Sequence, residues 1–148
     1  MPNKPLLHIA QIPVRWGDMD SYGHVNNTLY IQYLEEARVS WFEKLGIAMN
    51  NVPTGPLILQ TLHTYLKPVV HPATVMVELY AGAVGRSSLT IEHRLSTLED
   101  PRTTYGQGHC KLVWVEHASN TSIPVPDDVR ALFEGGTDAR QDSTAALN

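Results

Sequence analysis

Between Arg15 and Tyr30 the hydrophobic period of this chain changes from two to about 3.6 across a segment rich in turn formers, Arg-Trp-Gly-Asp-Met-Asp-Ser-Tyr-Gly-His-Val-Asn-Asn-Thr-Leu-Tyr. Before the change, His8 to Trp16 alternates: Ala10, Ile12, Val14 and Trp16 fall on one face, Gln11, Pro13 and Arg15 on the other. That pattern predicts a half-buried strand, and Pro13, which has no N–H to give a ladder, favours a sheet edge. After the change, Tyr30, Tyr33, Leu34, Ala37, Trp41 and Leu45 recur at helical spacing over 27–45, with Glu35, Arg38 and Lys44 elsewhere and Gly46 as the stop. Such a helix is about 28 Å long at about 1.5 Å per residue. Ile31, Val39 and Phe42 spread its apolar surface beyond one stripe, so it is expected to be wrapped by sheet.

Beyond a Pro/Gly/Asn loop, strand-like segments follow at 57–67, 73–83, 87–96 and 104–116, with the clearest alternation in Val75, Val77, Leu79, Ala81 and Ala83. The breaks between them are too short for crossover helices, so the sheet should be mostly antiparallel. A short helix opened by Asp127 or Asp128 is expected within 124–133. The Gly, Thr, Asp, Gln and Ser content from Glu134 onward suggests a loose tail, which leaves one domain over 1–133 and a flexible segment over 134–148.

A 148-residue chain suits one core. Its net charge of −4 with no basic run argues against a nucleic-acid partner. Neither a secretory signal nor an apolar run of membrane-spanning length is visible, which predicts a cytoplasmic protein without membrane insertion. A single cysteine, Cys110, excludes an intrachain disulfide and suits a buried strand position. The seven histidines lack His-Glu-x-x-His spacing or cysteine partners, so no metal is expected.

The hinge is where chemistry is expected. A helix N-terminus presents free N–H groups and a partial positive charge, which can stabilise the oxyanion of acyl transfer, and Asp18 and Asp20 stand just ahead of it. Either carboxylate could attack a carbonyl or activate water. Both also fit turn formation and helix capping.

Asp18-x-Asp20-x-x-Gly23-His24-Val25-Asn26-Asn27-x-x-Tyr30, followed by Glu36-Ala37-Arg38, resembles the 4-hydroxybenzoyl-CoA thioesterase family and its bacterial acyl-CoA thioesterase relatives. Further matches are Gly55-Pro56 before the second strand, Pro68 closing it, and Gly85-Arg86-Ser87-Ser88 between the third and fourth; the resemblance spans about Ile9 to Phe133. It implies an α+β hotdog fold, a five-stranded antiparallel sheet wrapped around a long central helix. It also implies an acyl-CoA substrate hydrolysed without a cofactor. Asp20 falls on the family's nucleophile or general base, and the backbone N–H of Asn27 on its carbonyl-polarising donor. Asp18 would support. His24 and Tyr30 are candidates for the pocket lining, although Tyr30 belongs to the apolar stripe and His24 could instead orient Asp20.

Coenzyme A carries phosphates, so cations or N–H donors are needed near the mouth of the pocket. Arg86, Ser87 and Ser88 are the candidates, with a plain hairpin turn as the other reading. Thr61, His63, Tyr65 and Lys67 share one face of the second strand and could shape the acyl pocket or a subunit contact. The resemblance implies a homodimer or homotetramer whose association covers an exposed sheet edge. A hotdog protein that binds acyl-CoA without turnover is the alternative.

Overall fold

The helical stripe does what its spacing demands. In the computed structural model, which describes residues 3–134, Tyr30, Tyr33, Leu34, Ala37, Trp41 and Phe42 are all buried on helix α1 (Asn27–Lys44). Asn26 caps its start, its side-chain oxygen accepting from the Thr28 N–H at 2.9 Å. The helix lies on an antiparallel sheet of order β1-β3-β4-β5-β2, made of β1 (Leu6–Pro13), β2 (Thr54–Tyr65), β3 (Thr74–Val84), β4 (Ser88–Thr97) and β5 (Gly106–Glu116). Alternation along β3 and β4 sends Val75, Val77, Leu79 and Ala81, and Leu89, Ile91 and Leu95, into the core beneath the helix. Helix α2 (Asp127–Phe133) closes one end, with Phe133 6.1 Å from Trp41 ring to ring.

Four expectations need correction. The sheet has six strands, because the two-residue β6 (Thr121–Ser122) pairs with β5. Gly55 and Pro56 lie inside β2, not before it. Strand β1 stops at Pro13, and Trp16 opens a 3-10 turn (Trp16–Asp18) with its indole 80 % exposed, so the alternation that placed Trp16 inward breaks at Arg15. Arg38, expected on the polar side of α1, is only 5 % exposed. Pro13 does sit on an edge strand, and Cys110 is buried. The expected tail lies outside the described residues apart from Glu134.

Two polar contacts cross the core. His8 on β1 meets Ser40 on α1, Nε2 to Oγ at 2.8 Å. Because the Ser40 hydroxyl donates to the Ala37 carbonyl at 3.0 Å, its lone pair is what the His8 N–H meets. On the helix-facing side of the sheet, His63 Nδ1 lies 2.8 Å from His93 Nε2 across the intervening β5. Gly108, the residue between them, makes the crossing possible: a Cβ there would collide with the Leu62 carbonyl oxygen and lie 3.0 Å from His93 Cε1.

Burial keeps these imidazoles neutral. It pushes His8 down to about 4, with Lys44 adding to the effect, and His93 down to about 3, helped by His63, Arg38 and His109; His63 is lowered by burial too. Below the ordinary histidine pKa of about 6.5 the unfolded chain takes up protons that the folded one refuses. Stability is therefore complete above about pH 6.5 and falls as the pH drops toward 4, by roughly 1.4 kcal/mol per pH unit for each of His8 and His93. Urea denaturation at intervals from pH 7.5 to 4 should show the midpoint falling steadily; a flat midpoint down to pH 5 contradicts the assignment. Replacing Gly108 with Ala should cost on the order of 1–3 kcal/mol, the usual range for overpacking, in the same assay at pH 7.5.

Candidate active site

The hinge is held from inside by Asp18. Its carboxylate is 2 % exposed and accepts from the Tyr33 hydroxyl at 2.7 Å, from the Arg15 backbone N–H at 3.1 Å and from Arg15 Nε at 3.1 Å. Burial alone would raise its pKa, but the Tyr33 hydroxyl and the Arg15 donors outweigh that and hold it below the usual carboxylate range. The cost returns on Tyr33, whose hydroxyl is raised by burial and by the bond to Asp18. With both oxygens engaged, Asp18 is built to fix backbone.

Asp20 is held differently. Its Oδ1 accepts from the Tyr22 N–H at 2.9 Å, and among the described residues nothing hydrogen-bonds its second oxygen. The loop closes on itself, with the Asp20 N–H donating to the His24 carbonyl at 3.0 Å and the Gly23 N–H to the Asp20 carbonyl at 3.0 Å. Gly23 makes this turn at φ +85°, a conformation that side chains resist. The Asn26 N–H then donates to the Asp18 carbonyl at 2.9 Å, and the Asn26 side chain serves Thr28. The N–H of Asn27, first in the helix, has no acceptor among the described residues.

Asp20, His24, Asn27 and Tyr30 line one cavity of about 400 Å³, whose other walls are Tyr22, Val25, Tyr65, Leu66, Lys67 and Pro68. Tyr30 is buried at its base, its hydroxyl accepting from the Val69 N–H at 2.9 Å. Its pKa is raised by burial first, and also by the charge of nearby Asp20. Tyr65 leans edge-on against Tyr30 with ring centroids 5.2 Å apart, and its hydroxyl donates to the Asn27 carbonyl at 2.8 Å. His24 stacks on Tyr22 at 6.3 Å, and it meets Asp20 through its backbone carbonyl.

Arg86, Ser87 and Ser88 lie elsewhere. They form the β3–β4 turn, pinned by Arg130, which donates to the Gly85 and Arg86 carbonyls at 2.8 Å, and by the Trp114 N–H on the Ser87 carbonyl at 2.7 Å. Ser88 pairs with Val113, whereas Tyr65 at the cavity pairs with Gly106; the seven steps along β5 between Gly106 and Val113 span about 23 Å at about 3.3 Å per residue. Within one protomer these three do not reach the cavity. The cation that lines it is Lys67, 5.0 Å over the Tyr105 ring and 3.8 Å from Asp100. Its place on one face with Tyr65 was legible, but not its proximity to Asp20. Tyr22 and Leu66 were not singled out by the sequence, and Val25 and Pro68 entered only as matches to the family motif, because chain folding and not a local pattern turns them toward the cavity.

The protein resembles known ones on several counts. Residues 14–133 match the thioesterase-like superfamily. An uncharacterised protein of Bacillus subtilis, YsmA, is 33% identical over 119 residues, covering 80% of this chain and 79% of its own. The PA2801 protein of Pseudomonas aeruginosa, a proposed thioesterase, superposes with a TM-score of 0.84 at 75% identity, over 85% of this chain and 97% of that one. A proposed acyl-CoA thioesterase of Xanthomonas campestris superposes with a TM-score of 0.69 at 44% identity, over 74% and 92%. With the hinge, helix and sheet arranged as above, the chain belongs to the thioesterase-like superfamily and is a hotdog-fold thioester hydrolase.

Proposed function

We propose that the protein hydrolyses an acyl-CoA thioester to the free acid and CoA, with Asp20 as nucleophile or general base and the Asn27 N–H as the donor to the carbonyl oxygen. What carries this reading is that a carboxylate with one unbonded oxygen and an unpaired helix-terminal N–H line the same largely apolar cavity. The acyl-CoA class is supported by the Xanthomonas campestris relative, described as a proposed acyl-CoA thioesterase. Val25, Tyr30, Tyr65, Leu66 and Pro68 would hold the acyl group, with His24 at its side. Acting as a base, Asp20 takes a proton from water as its oxygen attacks the carbonyl carbon. The oxyanion is met by the Asn27 N–H and by the positive end of α1, and collapse expels the thiolate. Acting as nucleophile, Asp20 forms an acyl anhydride that water then cleaves. Either route loses the same carboxylate in Asp20→Ala.

The reading extends to assembly. Strand β2 is a sheet edge carrying exposed Leu57, Ile58, Leu59, Leu62 and Tyr65, and it ends at the cavity through Tyr65 and Leu66. An apolar edge of this length invites pairing, and a second copy in a homodimer or homotetramer supplies it. In a tetramer or dimer, Arg86, Ser87 and Ser88 of a neighbouring copy would be the donors for CoA phosphates. Among the described residues no helix is long and apolar enough to cross a membrane. The cytoplasm is the proposed location.

Free-thiol release from acetyl-, medium-chain, long-chain and benzoyl-CoA tests the chemistry. The wild type should turn over at least one, and Asp20→Ala should lose at least about 100-fold in kcat. Asn27→Ala, which keeps the backbone donor, should lose far less. If both wild type and Asp20→Ala bind acyl-CoA and neither releases thiol, the protein is a binding module. Leu59, 59 % exposed on β2, tests the assembly: Leu59→Asp should shift the protein to monomer in light scattering, and an unchanged mass rejects this edge as the interface.

A further inference from the structure

Asp20 lines two cavities. Besides the apolar one, it borders a second of about 420 Å³, formed with Trp16, Gly17, Met19, Gly23 and His71. A thioester reacting at Asp20 has two arms, acyl and thiol, that diverge from the reacting carbon, and Asp20 is the residue the two cavities share. The first holds the Asn27 N–H and the apolar walls, which suit the carbonyl and the acyl group. The second is walled by an indole, a thioether, an imidazole and two glycines that let a chain lie close to backbone.

Trp16 is the unusual part of that wall. Its side chain is 80 % exposed, yet the turn beneath it is rigid: buried Asp18 anchors it through Arg15 and Tyr33, and the Met19 N–H donates to the Trp16 carbonyl at 3.2 Å. The turn fixes where the indole is presented, and a large flat apolar ring at that place offers stacking area to a flat partner. Among the described residues the indole has no hydrogen-bond partner and no ring contact.

Resting on the thioesterase reading above, we propose that the cavity between Trp16 and His71 receives the amide-bearing pantetheine arm of the thiol. Trp16 stacks on its amide planes and so selects thioesters of long-armed thiols. The test compares wild type, Trp16→Ala and Trp16→Phe on one acyl group carried by CoA, by pantetheine and by ethanethiol. Loss of the indole should raise KM about fivefold to tenfold for the CoA and pantetheine esters, leave kcat within about twofold, and spare the ethyl thioester; Trp16→Phe should recover most of the loss. An effect on the CoA ester alone would assign Trp16 to the nucleotide and overturn the proposal. So would equal losses on all three esters, no loss on any, or a changed mass in light scattering, which would make Trp16 an interface residue. Turnover of none of the esters by the wild type would overturn the thioesterase reading and this one together, whereas wild-type turnover with a flat Trp16→Ala profile removes only this one.

Discussion

The bond from the Tyr33 hydroxyl to the buried Asp18 carboxylate is the contact on which the site's geometry depends. It joins the hinge to the second turn of α1, so the segment carrying Asp20 is fixed relative to the helix that offers the Asn27 N–H. Arg15 completes the cage and makes a buried charge tolerable, because an unpaired carboxylate at that depth would be far too costly. One aspartate is thus spent on architecture. The other, two residues on, has its N–H met by the His24 carbonyl, its carbonyl by the Gly23 N–H and one carboxylate oxygen by the Tyr22 N–H, leaving the second oxygen without a hydrogen bond among the described residues. Two carboxylates of similar sequence context part company through their hydrogen bonds alone.

The sheet makes an analogous provision. Its inner face is largely apolar, and besides the His8–Ser40 contact it carries the pair His63 and His93 over Gly108, both rings neutral because the core withholds the solvation a charge would need. Their pairing satisfies one nitrogen of each, and Tyr30 and Tyr65 pack on the His63 ring at 5.8 and 4.7 Å. The rings packed behind the cavity's Tyr30 and Tyr65 are therefore polarisable and uncharged, a backing that would suit the acyl group proposed for it.

Much of this was legible beforehand, for definite reasons. Helix α1 and the succession of strands along the chain were readable because periodicity reports burial, and α1 is buried on one face and β3 on one face from Val75 to Ala81. The hinge was readable because turn residues are chemically distinctive. Trp16 was misplaced because alternation was continued past Pro13, whereas Asp18 pulls the chain into a 3-10 turn through contacts with Tyr33, fifteen residues away. Arg38 defeated the pattern because charge was taken to mean exposure. Lys67, Leu66 and Pro68 reach the cavity only through the folding of β2 beside α1, a long-range event with no local signature. The family resemblance supplied Asp20 and Asn27 as a pair; composition and periodicity left Asp20 and Asp18 equal.

The Tyr65 hydroxyl, bonded to the Asn27 carbonyl, ties the edge of the sheet to the head of the helix. Edge strand and helix head thus meet at one wall of the cavity, which Tyr65 and Asn27 both line. If a second copy seats on β2 as proposed, its binding and the filling of the cavity share that wall, and any linkage between them runs both ways with the same free energy. An occupied cavity would then stiffen the edge that the neighbour grips, and recognition of the small molecule and of another chain would meet in a single phenolic hydrogen bond.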